Sequence, residues 1–298
     1  DGKKGHEKQV GILLNEISKT ENIVIKKEIL LVSKLSQLTE LVTYSISLLF
    51  GNLFLNGNKF SAYKDNQIDI VIGAGSSIHV RMLLIKNYLL NSGISVKAIS
   101  ILTPNLYKNQ FDIICAPSHD IKKLSRANKV IYFEGSLARV SSSEVDEDIG
   151  FIGIGGINKH YIFDQDAIMI QIEFLLALYP QKRWFLFTTR RTPNEMSKKV
   201  NSLALENKNL IISDDNYDEI IEKASIKAVT QDSVNMIYES LSTKGQTLLF
   251  NMKYIKINKI VNQINLLLSN KQVGYIENTQ MVDDLNKIKI ISQNLHHG

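Results

Sequence analysis

At 298 residues and 44% hydrophobic content, the chain is long enough to bury two cores. Its net charge of +5 and pI near 9.0 suit anionic ligands without calling for nucleic acid, and a single cysteine excludes an internal disulfide framework. The sequence shows no secretory signal and no uninterrupted apolar stretch of membrane length.

The opening stretch, residues 1–9, reads as a strand-to-helix loop whose preceding strand lies upstream of the sequence. Residues 10–17 continue it as a helix, and 23–25 form a short strand. Residues 38–55 are apolar for much of their length, with Leu41, Tyr44, Leu48 and Leu55 on one helical face and Leu49, Phe50, Leu53 and Phe54 widening it. Residues 67–72 form a strand that delivers Gly73-Ala74-Gly75-Ser76-Ser77 to a helix ending near Leu90. Further strands follow at 96–102, 111–116 and 129–133, the first two closed by Pro104 and Pro117. Cys115 sits inside one of these apolar runs, so it reads as a buried thiol in a reducing, cytoplasmic setting. Short apolar runs separated by helices and ended by turn residues point to an α/β fold with parallel sheets.

At 141–148 the composition turns to serine and acid, which marks a boundary between a first domain, 1–141, and a second, 149–278. A terminal helix, centred on 283–294, occupies 279–298. Asp146-Glu147-Asp148 has the spacing of a metal-binding pair, but without accompanying ligands it reads as solvated linker charge, and no metal site is expected.

Three stretches of the second half carry chemistry. A strand at 226–230 runs into Gln231-Asp232-Ser233, where Asp232 or Ser233 can cap a helix that places Met236 and Glu239 one turn apart. A strand leading into a capped helix puts bare N–H groups and the positive dipole end at the carboxyl edge of a sheet, where phosphates bind. The strand near 151–154 runs into Gly155 and Gly156, which permit close approach to a ligand, although a tight turn alone would use the same residues. Neither glycine turn completes the dinucleotide fingerprint. The run at 184–187 ends in Thr188-Thr189-Arg190-Arg191-Thr192-Pro193. The chain has only six arginines, and an adjacent pair at a strand end suits phosphate. The competing assignment has Arg190 and Arg191 capping helices or pairing with Asp214 and Asp215. Helix dipole and guanidinium together can stabilise a departing diphosphate without a metal. Strands at 210–212 and 247–250 and helices at 164–178, 217–224 and 255–268 complete a second αβ unit.

The segments DGKKGHEKQ, GAGSS, FDIICAPSHD, GIGG, FLFTTRRTP, the tyrosine of DDNYDEIIEKA, and TQDSVNMIYES occur in the order seen in the mitochondrial-fission ELM (elongated mitochondria) family. The chain resembles a bacterial-type member of it over nearly its whole length. TTRRTP and T-x-DS-x-x-M-x-x-E carry most of the specificity. GAGSS departs from the pattern, with Ser76 standing where an arginine would follow the second glycine.

That family looks related to the GT-B glycosyltransferases, so the resemblance implies two Rossmann-type domains facing across a cleft, the second holding a nucleotide-diphosphate sugar donor. By similarity, Glu239 takes the ribose hydroxyls. Ser233 and its neighbours Asp232 and Met236 hold the diphosphate, with Thr189, Arg190 or Arg191 and the Gly155-Gly156 turn beside it. Gly5, Gln9, Gly73, Gly75 and His119 belong to loops on the acceptor side, where His6 or Asp120 acts as the base that deprotonates an acceptor hydroxyl. The implied partner is a nucleotide-sugar, with no permanently bound cofactor and no nucleic acid, and the acceptor is a cell-envelope lipid or glycan.

Plainer roles stand beside these. His6 can hydrogen-bond its loop, His119 and Asp120 can fix a turn, Glu239 can be a surface carboxylate, and Met236 can be core. The rival to an enzyme is a non-catalytic nucleotide-binding or adaptor protein acting in membrane fission. An epimerase would want a Tyr-x-x-x-Lys pair, and Gln165 and Ile221 stand four residues after Tyr161 and Tyr217. For residues 38–55 a core helix is favoured, and peripheral contact with the inner face of a membrane is the competing expectation.

Overall fold

The structure, a computed structural model, describes residues 1–30, 32–50, 57–64, 68–125, 127–277 and 289–290. The chain divides into two compact units, Asp1–Leu137 and Ala138–Gly298, each built on its own mostly or wholly parallel sheet.

In the first unit the strands β1 (Ile70–Ala74), β2 (Lys97–Ile101), β3 (Ile113–Pro117) and β4 (Val130–Phe133) pair in parallel in sequence order. A parallel sheet needs both faces covered. Helix α1 (Lys4–Ser18) covers one, where Val10 and Leu13 pack on Ala74, Ile99, Ile101 and Cys115. Helices α2 (Lys34–Phe50), α3 (Gly57–Lys64) and α4 (His79–Asn91) belong to the other, whose core includes Tyr44, Phe60, Met82, Leu83 and Ile114.

The strand expected at 23–25 is absent. Val24 is 102% exposed, and a three-residue apolar run with no neighbouring ladder gains nothing from extended backbone. Of the apolar run at 38–55, residues 51–55 lie outside the described residues, and the rest falls in α2. Tyr44 is fully buried with its ring edge-on to Tyr107, Arg81 on α4 pairs with buried Glu40, and Leu35, Leu38, Val42 and Leu49 are exposed. Among the described residues no helix is long and apolar enough to cross a membrane.

The second unit holds strands β5 (Asp146–Ile154), β6 (Arg183–Thr188), β7 (Leu210–Ile212), β8 (Ala224–Thr230), β9 (Gln246–Phe250), β10 (Gly274–Glu277) and β11 (Lys289–Ile290), and helices α5 (Gln165–Leu178), α6 (Asn194–Glu206), α7 (Tyr217–Lys223), α8 (Val234–Leu241) and α9 (Lys259–Ser269). The sheet order is β11-β10-β9-β8-β5-β6-β7, parallel throughout except at β10 and β11. Residues 146–148, expected in a linker, open β5 instead. Their backbone joins the ladder with β8 while the acidic side chains stay exposed. The expected terminal helix falls mostly outside the described residues. Within it Lys289–Ile290 is extended and pairs antiparallel with β10, whose outer edge otherwise leaves N–H and C=O groups open.

Every residue of β8 is buried, as a central strand requires. On one face Ile154, Trp184 and Leu186 pack on Ile172 and Leu175 of α5; on the other, Phe151, Phe187 and Val229 pack on Ile221 of α7 and Ile237 of α8. Strand order reverses between β5 and β8. Connections leave these two strands in opposite directions, which opens a crevice at their carboxyl ends.

The first unit buries a histidine that makes its stability depend on pH. His79 opens α4 with Nε2 2.9 Å from Ser100 Oγ on β2, and burial lowers its pKa to about 4. The unfolded chain therefore binds a proton that the folded chain refuses between about pH 6.5 and 4, and stability falls as pH drops through that window. Above it the effect vanishes. Denaturant unfolding should show wild type losing about 3 kcal/mol relative to His79→Gln between pH 7 and pH 4. A difference that does not change with pH would show that His79 is charged in the fold.

Candidate functional site

Three loops meet at the switch point of the second sheet, each following one of three neighbouring strands. After β5 come Gly155 and Gly156, after β6 come Thr189 to Thr192, and after β8 come Gln231 to Ser233. They are knitted together by their own polar groups. The Gly155 amide donates to Thr230 Oγ1 at 2.7 Å and the Gly156 amide to Asp232 Oδ2 at 2.8 Å. Thr189 Oγ1 and Thr192 Oγ1 both donate to the Gly155 carbonyl. Arg191 donates to the carbonyl of Gly156 at 3.1 Å, and its other terminal nitrogen lies 2.9 Å from Asp232 Oδ2.

The glycines are explained by these contacts. A Cβ at Gly156 would lie 2.0 Å from the Arg191 carbonyl oxygen, and one at Gly155 would lie 2.3 Å from Asp232 Oδ2. Asp232 is 6% exposed, and burial raises its pKa against the pull of the Gly156 amide, Thr230 and Arg191. Its carboxylate was expected at a helix cap or on a ligand. It lies instead against the Gly156 amide and the Arg191 guanidinium, which follow β5 and β6, the next two strands of the sheet. Arg191 likewise pairs with Asp232 and not with Asp214 or Asp215.

The helix start remains open. Ser233 stands at the N-cap position of α8 without a capping bond, and the amides of Val234, Asn235 and Met236 have no backbone or side-chain acceptor among the described residues. Arg190 is exposed and has no ion pair among the described residues. Met236 is 7% exposed and fills the space over Gly153, so it belongs to the core. One turn on, Glu239 accepts a 2.6 Å hydrogen bond from the Tyr217 hydroxyl. The Tyr217 ring stands edge-on to Phe151 and Phe187, which fixes that hydroxyl; the sequence does not show this pairing because it joins α7 to α8. Beside the crevice lies a cavity of about 650 Å³, whose lining includes Tyr161, Gln171, Gln231, Asn251, Asn265 and Tyr275. Beside these amides and phenols the wall carries Asp164 and Lys253.

The residues expected on the acceptor side lie in the first unit. Gly5 and His6 are in the first turn of α1, and Gln9 is buried one turn on with its Oε1 unpartnered. Gly73 lies near the end of β1, and Gly75 follows it in the turn. His6 Nδ1 lies 2.8 Å from Asp1 Oδ1, and a Cβ at Gly75 would strike both side chains. Asp1 was missed by sequence analysis, although it lies in the same DGKKGH segment. Asp120 receives Thr103 Oγ1 at 2.9 Å and Lys123 Nζ at 2.8 Å, with His119 Nε2 4.0 Å away, so its carboxylate ties its turn together.

The open helix start of α8 thus lies at the switch point of the second sheet, the place where anions bind in folds of this kind. The chain is a member of the mitochondrial fission ELM1 family, whose profile matches residues 4–296. No curated protein matches it.

Three solved structures illustrate its likenesses. The pneumococcal O-GlcNAc transferase GtfA in complex with UDP and GlcNAc is 8% identical with a TM-score of 0.41, over 72% of this chain and 53% of that one. The chain thus spans about half the length of that relative. The S. aureus MnaA–UDP structure is 12% identical with a TM-score of 0.44, over 86% and 77%. The trehalose 6-phosphate synthase of Burkholderia multivorans is 7% identical with a TM-score of 0.40, over 79% and 69%. At that level the likenesses assign no activity to this chain.

Proposed function

We propose that the protein is a glycosyltransferase that binds the diphosphate of a nucleotide-sugar at the start of α8. The observation that carries this is the open first turn of α8 at the switch point, with Ser233, three unpartnered amides and the unpaired Arg190. Bare N–H groups, a dipole and a guanidinium on one crevice favour an anion with several oxygens. Glu239 accepts hydrogen bonds from the ribose hydroxyls in this reading, which its orientation by the Tyr217 hydroxyl supports. The cavity lined in part by Gln231 and Tyr275, with Asp164 and Lys253 also on its wall, offers room for a hydroxylated ring. His6, in the first unit, is the base in this reading and takes the proton of the acceptor hydroxyl.

Titration calorimetry with UDP tests the binding half. Arg190→Ala and Glu239→Ala should each weaken binding by roughly ten- to a hundredfold, the value of a charge-assisted contact of about 1.5–3 kcal/mol. Helix dipole and guanidinium already offset the diphosphate charge, so binding should persist in chelator. Unchanged affinity in both variants would remove the site.

A further inference from the structure

The Asp1 carboxylate is 4% exposed and held from several sides. His6 Nδ1 lies 2.8 Å from Oδ1, Ser77 Oγ donates to Oδ2 at 3.2 Å, the Lys3 amide donates to Oδ1 at 3.4 Å, and Lys3 Nζ stands 3.5 Å from Oδ2. Gly75, with φ +103, makes room for the pair. A Cβ there would lie 2.3 Å from Asp1 Oδ2 and 2.7 Å from His6 Nδ1, so the sheet end is shaped around these two side chains.

An ionised carboxylate only accepts hydrogen bonds, so the contact places the imidazole proton on Nδ1 and leaves Nε2 with a bare lone pair. We propose that Asp1 is a positioning residue that holds His6 in this tautomer and orientation, so that Nε2 can receive the acceptor's proton. This rests on the assignment of His6 as the base. When the acceptor hydroxyl gives up its proton, the O–H bond breaks toward oxygen and the proton bonds to the Nε2 lone pair. The imidazolium so formed keeps its Nδ1–H on Asp1, whose charge stabilises it.

A plain salt bridge would serve the loop equally well if His6 were charged. Burial, then Lys3 and the Asp1 amino group, instead lower its pKa to about 4, so the ring is neutral at pH 7. Such a contact sets orientation and tautomer more than it adds attraction.

The test is a long-range proton–nitrogen correlation spectrum of histidine-labelled protein at pH 7, with the His6 signals identified by their loss in His6→Gln. Wild type should show an unprotonated Nε2 and a protonated Nδ1. Asp1→Asn offers a donor as well as an acceptor and should yield a mixture of tautomers; Asp1→Ala should do the same without any partner. Ser77→Ala leaves the direct contact in place and should keep the wild-type signature. A protonated Nε2 in folded wild type, which needs no variant to observe, or an unchanged tautomer in a folded Asp1 variant, would overturn the proposal. UDP calorimetry separates this from the donor site: Asp1→Asn should bind UDP as wild type does, whereas loss of the donor assignment appears as no UDP binding in wild type.

Discussion

Gly156→Ala should destabilise the protein by about 3 kcal/mol or more and abolish UDP binding, because the added methyl has nowhere to go. Its nearest neighbours would be the carbonyl oxygen and carbon of Arg191, at 2.0 and 2.1 Å, and the Thr192 amide nitrogen at 2.6 Å. These are backbone atoms of the loop after β6. That loop is itself fixed, since the Ile157 amide donates to the Arg191 carbonyl and Thr192 Oγ1 to the carbonyl of Gly155. The methyl must therefore part the β5 and β6 loops and with them the Asp232 contacts. Gly11→Ala is the matched control. It lies within α1 with nothing inside 4 Å of its Cβ, and should be neutral or stabilising by up to about 1 kcal/mol. Urea unfolding of both variants checks this, and equal midpoints for Gly156→Ala and wild type would show that the two loops do not meet as described.

Asp232→Asn should tighten UDP binding roughly tenfold or more, about 1.4 kcal/mol, although it removes a residue from the middle of the site. The carboxylate holds the Gly156 amide and Arg191, two donors suited to a phosphate, and places a negative charge beside the start of α8. Asparagine keeps an acceptor for the Gly156 amide, removes the charge, and releases Arg191 toward the ligand. Asp232→Ala separates the two effects. It also frees Arg191 but leaves the Gly156 amide without its acceptor, so it should lower the melting temperature where Asp232→Asn barely changes it. Calorimetry decides the sign. Weaker UDP binding in Asp232→Asn would mean that the carboxylate contacts the ligand directly, as sequence analysis expected.

Much of the fold was legible because its signals are local. The runs read at 111–116 and 226–230 stop at Pro117 and at Thr230, which is where β3 and β8 end. The grouping of Gly155, Gly156, Thr189, Arg191 and Asp232 followed from the same fact: in a parallel sheet, whatever comes after each strand arrives at one edge. The errors fell where local signal was weak or misleading. Residues 23–25 have strand-forming side chains and no neighbour, and the acids at 146–148 suggest a linker while their backbone belongs to β5.

The sequence by itself determined most of the strands and helices, that the sheets are mainly parallel, and which chemical groups gather at their carboxyl ends. Only the tertiary structure decided who pairs with whom. Strand order places β8 beside β5, so Asp232 meets the Gly156 amide and Arg191 while adjacent Arg190 remains unpaired. The packing of α7 against α8 brings Tyr217 to Glu239, and the turn at Gly75 leaves space for Asp1 against His6. The physical reason is one of range. Backbone propensity and apolar periodicity act over a few residues, whereas a charged or polar side chain takes its partner from whichever strand end or helix the topology sets beside it.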